Sequence, residues 1–187
     1  MTLNYQEVFF NQNHGKVKKR NLFCYKEIKM TKTKTVYFGA GWFTDKQNKA
    51  YKDAMAALKE NPTIDFDHCY VPLQNQYKDI RVDLHPEYLH DIEWADATYH
   101  GDLVGIKSSD VMLGVYIPEE EDVGLGMELG YALSQGKYIL LVIPDEDYGK
   151  KINLMSWGVC DNAIKMSELK DFDFNKPRYA FYDGAVY

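Results

Sequence analysis

From residue 33 onward the chain alternates short continuous apolar runs with longer stretches whose apolar positions recur every three or four residues. The first pattern predicts buried strands and the second predicts helices. Val36-Tyr37-Phe38 reads as a first strand, ending at Gly39-Ala40-Gly41. Thr44 or Asp45 can cap a helix to about Lys59, with Ala50, Ala54, Ala57 and Leu58 on its inner side, and Asn61-Pro62 stops it. Residues 66–71 read as a second strand. After a polar loop over 72–85, Pro86 is placed to open a long helix to about Lys107. Residues 111–116 read as a buried strand. Pro118 then begins an acidic loop, Asp122 can cap a helix to Gln135, and Gly136 ends that helix. Residues 138–143 form the most apolar strand, stopped by Pro144. A short helix near 152–158 and a strand near 162–165 complete the pattern.

This alternation predicts an α/β fold: a doubly wound parallel five-stranded sheet with helices on both faces. Ligands in such sheets sit beyond the carboxyl ends of the strands, which directs attention to the loops after Phe38, Tyr116 and Ile143. A length of 187 residues suits a single domain with a full core. Residues 1–30 lack sustained periodicity. They hold six basic groups against Glu7 and Glu27, a local charge of +4 in a chain of net charge −6. We read 1–30 as a poorly ordered basic extension, with Met30 as an alternative start, and 31–187 as the domain. A basic arm that binds a partner is the other reading.

The body without that extension is acidic, which argues against a polyanionic partner such as duplex DNA. Cys24, Cys69 and Cys160 have neither metal-site spacing nor an even count, as expected of reduced thiols in a cytoplasmic protein. No apolar run approaches the ~18 residues of a membrane span. Fifteen tyrosines are many for this length, and some are expected to line a site or an interface.

Two segments carry candidate chemistry. Gly39-Ala40-Gly41 follows the first strand but lacks the third glycine of a dinucleotide fingerprint, Thr44 standing there instead. It is either a tight strand-to-helix turn or a close approach of backbone to a small ligand, with Trp42 and Phe43 as an aromatic wall. Asp122-Val-Gly-Leu-Gly-Met-Glu128-Leu-Gly130 is more informative. Each glycine costs a helix roughly 1 kcal/mol relative to alanine, so something packs close here: the sheet, a subunit or a ligand. Glu128 falls in the second turn. It is either a solvated helix residue or a carboxylate poised to attack an electrophilic carbon. Asp122 reads as an N-cap, a ligand group, or both. Asp102 lies on the long helix, where a lone aspartate usually faces solvent. His85, His90 and His100 with Glu93 and Asp96 read as a solvated face and not a metal set. The terminal Arg178-to-Tyr187 segment is aromatic to its last residue and is expected to dock.

Taken together, Tyr37-Phe-Gly-Ala-Gly-Trp-Phe43, Gly101-Asp102-Leu103, Asp122-Val-Gly-Leu-Gly-Met-Glu128-Leu-Gly-Tyr131, Asn153-Leu-Met-Ser-Trp157 and the terminal Gly-Ala-Val-Tyr187 resemble the nucleoside 2-deoxyribosyltransferases of lactic acid bacteria. The likeness spans about residues 33–187. It implies a flavodoxin-like fold, a homohexamer built from dimers, and transfer of 2-deoxyribose between purine and pyrimidine bases without cofactor or metal. By the same resemblance Glu128 is the nucleophile, Tyr37 holds its carboxylate, and Asp102 protonates the departing base, with Gln76 as a further base contact. Asp122 is implied to bind sugar or base. Asn153, from a neighbouring subunit, is implied to bind the sugar's 5′-hydroxyl, and the Tyr187 carboxylate to reach the site. Phe43 and Met155 are implied apolar contacts, and Gly39 and Trp42 line the same region.

These residue types suit the chemistry. A carboxylate can capture an oxocarbenium-like anomeric carbon, and a second acid makes the base a better leaving group. Two readings compete. A hydrolase of deoxynucleosides or their 5′-monophosphates would share the nucleophile and accept water. A non-catalytic nucleoside-sensing module would need no carboxylate nucleophile.

Overall fold

The computed structural model describes residues 33–187; the basic extension over 1–30 lies outside the described residues. Four strands, β1 (Val36–Ala40), β2 (Val111–Val115), β3 (Tyr138–Ile143) and β4 (Asn162–Lys165), form one sheet in that order. All pairings are parallel, with Val36 opposite Val111, Val111 opposite Tyr138, and Leu140 opposite Asn162. Four helices connect them: α1 (Asp45–Glu60), α2 (Ile92–Ser108), α3 (Val123–Ser134) and α4 (Leu154–Val159).

The predicted α/β architecture is present, with two corrections. Residues 66–71 are not a fifth strand. Phe66–His68 make a single 3-10 turn, after which Tyr70 alone pairs with β1. Its N–H donates to Val36 O (2.9 Å) and its carbonyl accepts from Phe38 N (2.8 Å). The segment thus extends the sheet by one bridge. The second correction concerns Pro86, which opens a separate 3-10 segment, Pro86–His90. Asp91 then caps α2 by accepting from Trp94 N. A carboxylate cap restarts the chain as an α-helix six residues later than the proline suggested.

Alternation along each strand divides the core in two. Val36, Phe38, Val111, Leu113, Leu140 and Val142 face α1, whose Ala50, Ala54 and Leu58 are buried against them. Tyr37, Met112, Ile139 and Leu141 face the other way, against Ile106 of α2 and Leu125, Leu129 and Ala132 of α3. Gly114 lets α3 lie close, since a Cβ there would sit 3.2–3.3 Å from Leu141, Leu125 and Leu129.

The loops at the carboxyl ends of the strands are tied together. Asp147, after β3, is almost wholly buried, with Lys46 Nζ 2.7 Å away and Lys150 Nζ 2.7 Å away. Lys150 also reaches Glu119, after β2, at 3.2 Å. The aromatic tail docks in part, with Tyr179 and Phe181 left exposed. Tyr182 is buried, its hydroxyl donating to Lys150 O and accepting from Gly149 N, and Val186 bridges Ile152. Among the described residues no helix is long and apolar enough to cross a membrane.

Candidate active site

The sheet places Tyr37 with its ring toward α3 and no exposed surface. Its hydroxyl donates to Glu128 Oε1 at 2.8 Å. Glu128 lies in the second turn of α3, a helix capped by Asp122 Oδ1, which accepts from Gly124 N at 2.8 Å. Across from it, Gly39 supplies the room. A Cβ at that position would fall 2.8–2.9 Å from Leu125 Cδ1, Glu128 Oε2 and Met112 Cε. Gly41 is filled differently: the Gln47 amide occupies the space its Cβ would take, at 2.7–2.9 Å. Gln47 Oε1 accepts from Phe43 N and Thr44 N while its backbone N–H is capped by Thr44, so this one side chain fixes the turn after β1. Of the two readings of Gly39-Ala40-Gly41, the structure supports a packed turn that also accommodates the Glu128 carboxylate.

Burial pushes the Glu128 carboxyl up to about 7. The Tyr37 hydrogen bond opposes that rise, and the nearby carboxylates of Asp102 and Asp122 add to it. Burial together with the charges of Glu128 and Asp102 holds the Tyr37 hydroxyl far above its ordinary range, so Tyr37 acts as a donor only.

Asp102 projects from the middle of α2 and is partly buried, unlike a lone solvent-facing helix aspartate. Tyr70 donates to its Oδ1 at 3.2 Å. Burial raises the Asp102 carboxyl to about 6, opposed by that hydrogen bond. A cavity of about 180 Å³ joins these groups, lined by Trp42, Phe43, Gln76, Asp102, Asp122 and Glu128 among others. Trp42 and Phe43 lie against each other with ring centroids 4.6 Å apart. Gln76 is buried, and its Oε1 accepts from Val82 N at 2.7 Å, which turns its amide NH₂ to serve as a donor. Two carboxylates of raised pKa, one amide donor and an aromatic wall suit a small neutral ligand with a heterocyclic ring.

The model of the family described as nucleoside 2-deoxyribosyltransferase matches residues 36–155, which include every one of these cavity residues. The chain belongs to that family. It is 80% identical over 154 residues to a nucleoside deoxyribosyltransferase of Lactobacillus leichmannii, covering 82% of this chain and 98% of the relative. It is 82% identical over 148 residues to one of Lactobacillus johnsonii, covering 79% of this chain and 99% of the relative. A solved 2-deoxyribosyltransferase from Bacillus psychrosaccharolyticus shares the fold, with a TM-score of 0.65 at 23% identity over 79% of this chain and 98% of that one. The chain is therefore an enzyme, a transferase of the nucleoside deoxyribosyltransferase family.

Three of the residues named from sequence lie elsewhere in this transferase chain. Asn153 and Met155 line a separate, more open depression of about 380 Å³ with Asp122, Gly126, Met127 and Gly130. Asn153 caps α4, its Oδ1 accepting from Met155 N at 2.8 Å. Tyr187 pairs with this segment, accepting from Leu154 N at 3.0 Å, and its hydroxyl donates to Glu121 Oε1 at 2.8 Å. Glu121 also receives the Tyr116 hydroxyl, which in turn accepts from Asn153 N. Among the described residues only Asp122 borders both cavities.

Sequence reading missed Tyr70, Gln47 and Glu121. Tyr70 had a visible signal in Gly101 and Gly105, spaced four apart on one face of α2. A Cβ at Gly105 would meet the Tyr70 ring at 2.5–2.8 Å, and one at Gly101 would meet its hydroxyl at 3.2 Å. Among the described residues no group of three His, Cys, Asp or Glu could hold a metal ion.

Proposed function

We propose that this enzyme transfers 2-deoxyribose between purine and pyrimidine bases by double displacement through a deoxyribosyl ester on Glu128. One observation carries the reading. Tyr37 occupies Glu128 Oε1, while Oε2 has no hydrogen-bond partner among the described residues, and Glu128 and Asp102 line the same cavity. A fixed carboxylate with one oxygen uncommitted is a nucleophile, and a second carboxyl of raised pKa is a proton donor. In the first half-reaction the bond between the anomeric carbon and the base breaks. Its electron pair leaves with the base, Asp102 supplies the proton, and Glu128 Oε2 closes on the anomeric carbon. The second base then attacks from the face the first one left, Asp102 takes back a proton, and Glu128 is released. Two inversions retain the β-configuration. Gln76, as a donor, suits an acceptor atom on either base, and Trp42 and Phe43 supply an apolar wall for the ring.

The same reading places Asn153, Met155 and the Tyr187 carboxylate in the site of a neighbouring copy within a homohexamer. Its support is the bare face around them. Val123, Met127 and Met155 are each more than 70% exposed, and a Cβ at Gly126 or Gly130 would meet nothing. The helix glycines that cost stability therefore do not serve contacts with this chain's own sheet, leaving a second subunit as the body they admit.

Incubation with thymidine and adenine tests the activity. New deoxyadenosine is expected. Free deoxyribose alone would mean a hydrolase, and no turnover a sensing module.

A further inference from the structure

The two carboxylates of the cavity are held in the same way, by two tyrosines that lie one on the other. Tyr37 and Tyr70 stack with ring centroids 5.5 Å apart and 7° between their planes. Tyr37 donates to Oε1 of Glu128, and Tyr70 donates to Oδ1 of Asp102. Tyr70 is fixed from three sides. Its backbone pairs with Val36 and Phe38 of β1, its ring lies on Tyr37, and its other face fills the groove left by Gly101 and Gly105 on α2. Two glycines in one helix cost roughly 1 kcal/mol each, a cost that recurs where a ring must lie against helix backbone. Asp102 stands between those glycines in sequence, so the gap that admits the ring also sets the hydroxyl beside the carboxylate.

We propose that Tyr70 is a positioning residue that holds Asp102 by Oδ1 and so leaves Oδ2 as the oxygen that delivers the proton to the departing base. The proposal rests on the reading of Asp102 as the proton donor. As the carbon–nitrogen bond breaks, its electron pair passes to the base. The base takes the proton from Asp102 Oδ2, and the O–H bonding pair remains on the carboxylate. That carboxylate gains charge during the step, and a hydrogen bond to a charged acceptor is stronger than one to a neutral acid. The Tyr70 hydroxyl therefore stabilises the transition state more than the ground state, which is the condition for raising kcat. The titratable groups around Asp102 are Tyr70 from the segment after the 3-10 turn, Tyr37 from β1, Glu128 from α3, and Asp122, the cap of α3, which lines the same cavity. Of these only Tyr70 donates to it.

Tyr70→Phe keeps the ring, its stack on Tyr37 and the filled groove, and removes only the hydroxyl. With deoxyadenosine as donor, kcat should fall roughly tenfold or more while KM changes by less than about threefold. The rate profile of the carboxyl pair should move toward higher pH, because Asp102 loses the partner that favours its ionised form. In an Asp102→Asn background the same substitution should change kcat by less than about twofold, since its effect runs through the missing carboxyl. An unchanged kcat and pH profile in Tyr70→Phe, beside an impaired Asp102→Asn, would overturn the role of Tyr70 alone. Equal losses in both backgrounds would make Tyr70 structural and also overturn it. A fully active Asp102→Asn would instead remove the reading of Asp102 on which it rests.

Discussion

Tyr37 and Tyr70 lie parallel with ring centroids 5.5 Å apart, and each hydroxyl engages a different carboxylate, Glu128 and Asp102 respectively. Burial raises both carboxyls, and the two phenol hydrogen bonds oppose the rise. Both carboxyls are partly buried, both are raised, and each has one oxygen committed to a phenol.

The first consequence is a narrow pH optimum. Burial brings Glu128 up to about 7 and Asp102 up to about 6. Transfer from deoxyadenosine requires one proton on the pair, with Glu128 ionised and Asp102 protonated. Because the two sites interact, the profile reports the pair and not either residue. The ratio kcat/KM should rise on one ionisation, pass through a maximum between pH 6 and 7, and fall on a second. A plateau extending to pH 9 would contradict the assignment.

Glu128 should also trade stability for its ionisation. Its carboxyl rises from 4.5 to about 7 in the folded protein, so the fold binds that proton more tightly than the unfolded chain does. Stability from this group is complete below pH 4.5 and is lost as pH rises toward 7. Glu128→Gln keeps an acceptor for Tyr37 and removes the titration. It should stabilise the protein at pH 8 by on the order of 2 kcal/mol, and by much less at pH 5. Thermal unfolding at the two pH values checks this, and an equal difference at both would count against it.

Asp147 ties together the loops that carry the site. Burial alone would raise its carboxyl, but hydrogen bonds from Lys150 and Lys46 prevail and hold it below the usual range. Asp147→Asn leaves two ammonium groups without their counter-charge and should cost roughly 2–4 kcal/mol at pH 7. The loss should shrink in acid, where the native carboxylate is itself protonated. Denaturant unfolding at pH 7 measures it, and an unchanged midpoint would show the knot to be dispensable.

Sharing of the site between subunits is tested by mixing. Glu128→Ala and Asn153→Ala subunits should each be inactive alone. After verified subunit exchange some activity should return, because some sites then combine an intact Glu128 with an intact Asn153. No recovery would place Asn153 in the site of its own chain, or outside any site.

Much of this was legible in the sequence, and the failures have local causes. Residues 138–143 and 111–115 are continuous apolar runs buried on both faces, a signal that needs no tertiary information. Thr44 and Asp122 cap their helices as their positions before periodic segments suggested. Residues 66–71 misled because β-branched and aromatic residues there fit a strand, while the segment makes two backbone hydrogen bonds with β1, both through Tyr70. Pro86 misled because a proline opens a 3-10 turn as readily as an α-helix. Glu128, Asp102, Gln76, Trp42 and Phe43, from segments distant in sequence, line one cavity. The separation of Asn153 and Tyr187 from that cavity within one chain is what the resemblance implied by giving them to a neighbouring subunit, whereas that of Met155 was not foreseen. That separation, like the stacking of Tyr70 on Tyr37, depends on how distant elements pack.

The central claim is covalent catalysis by Glu128, and trapping tests it most directly. A 2-fluoro-2-deoxyarabinosyl nucleoside slows both half-reactions, because fluorine destabilises the developing cation. Where release slows more than attack, an ester accumulates. Mass spectrometry of peptides from the trapped enzyme should find the added sugar on the peptide containing Glu128, together with ping-pong kinetics for natural substrates. Glu128→Ala should show neither the adduct nor transfer, while still binding nucleoside. An adduct on any other residue, or kinetics requiring both bases bound at once, would contradict the mechanism.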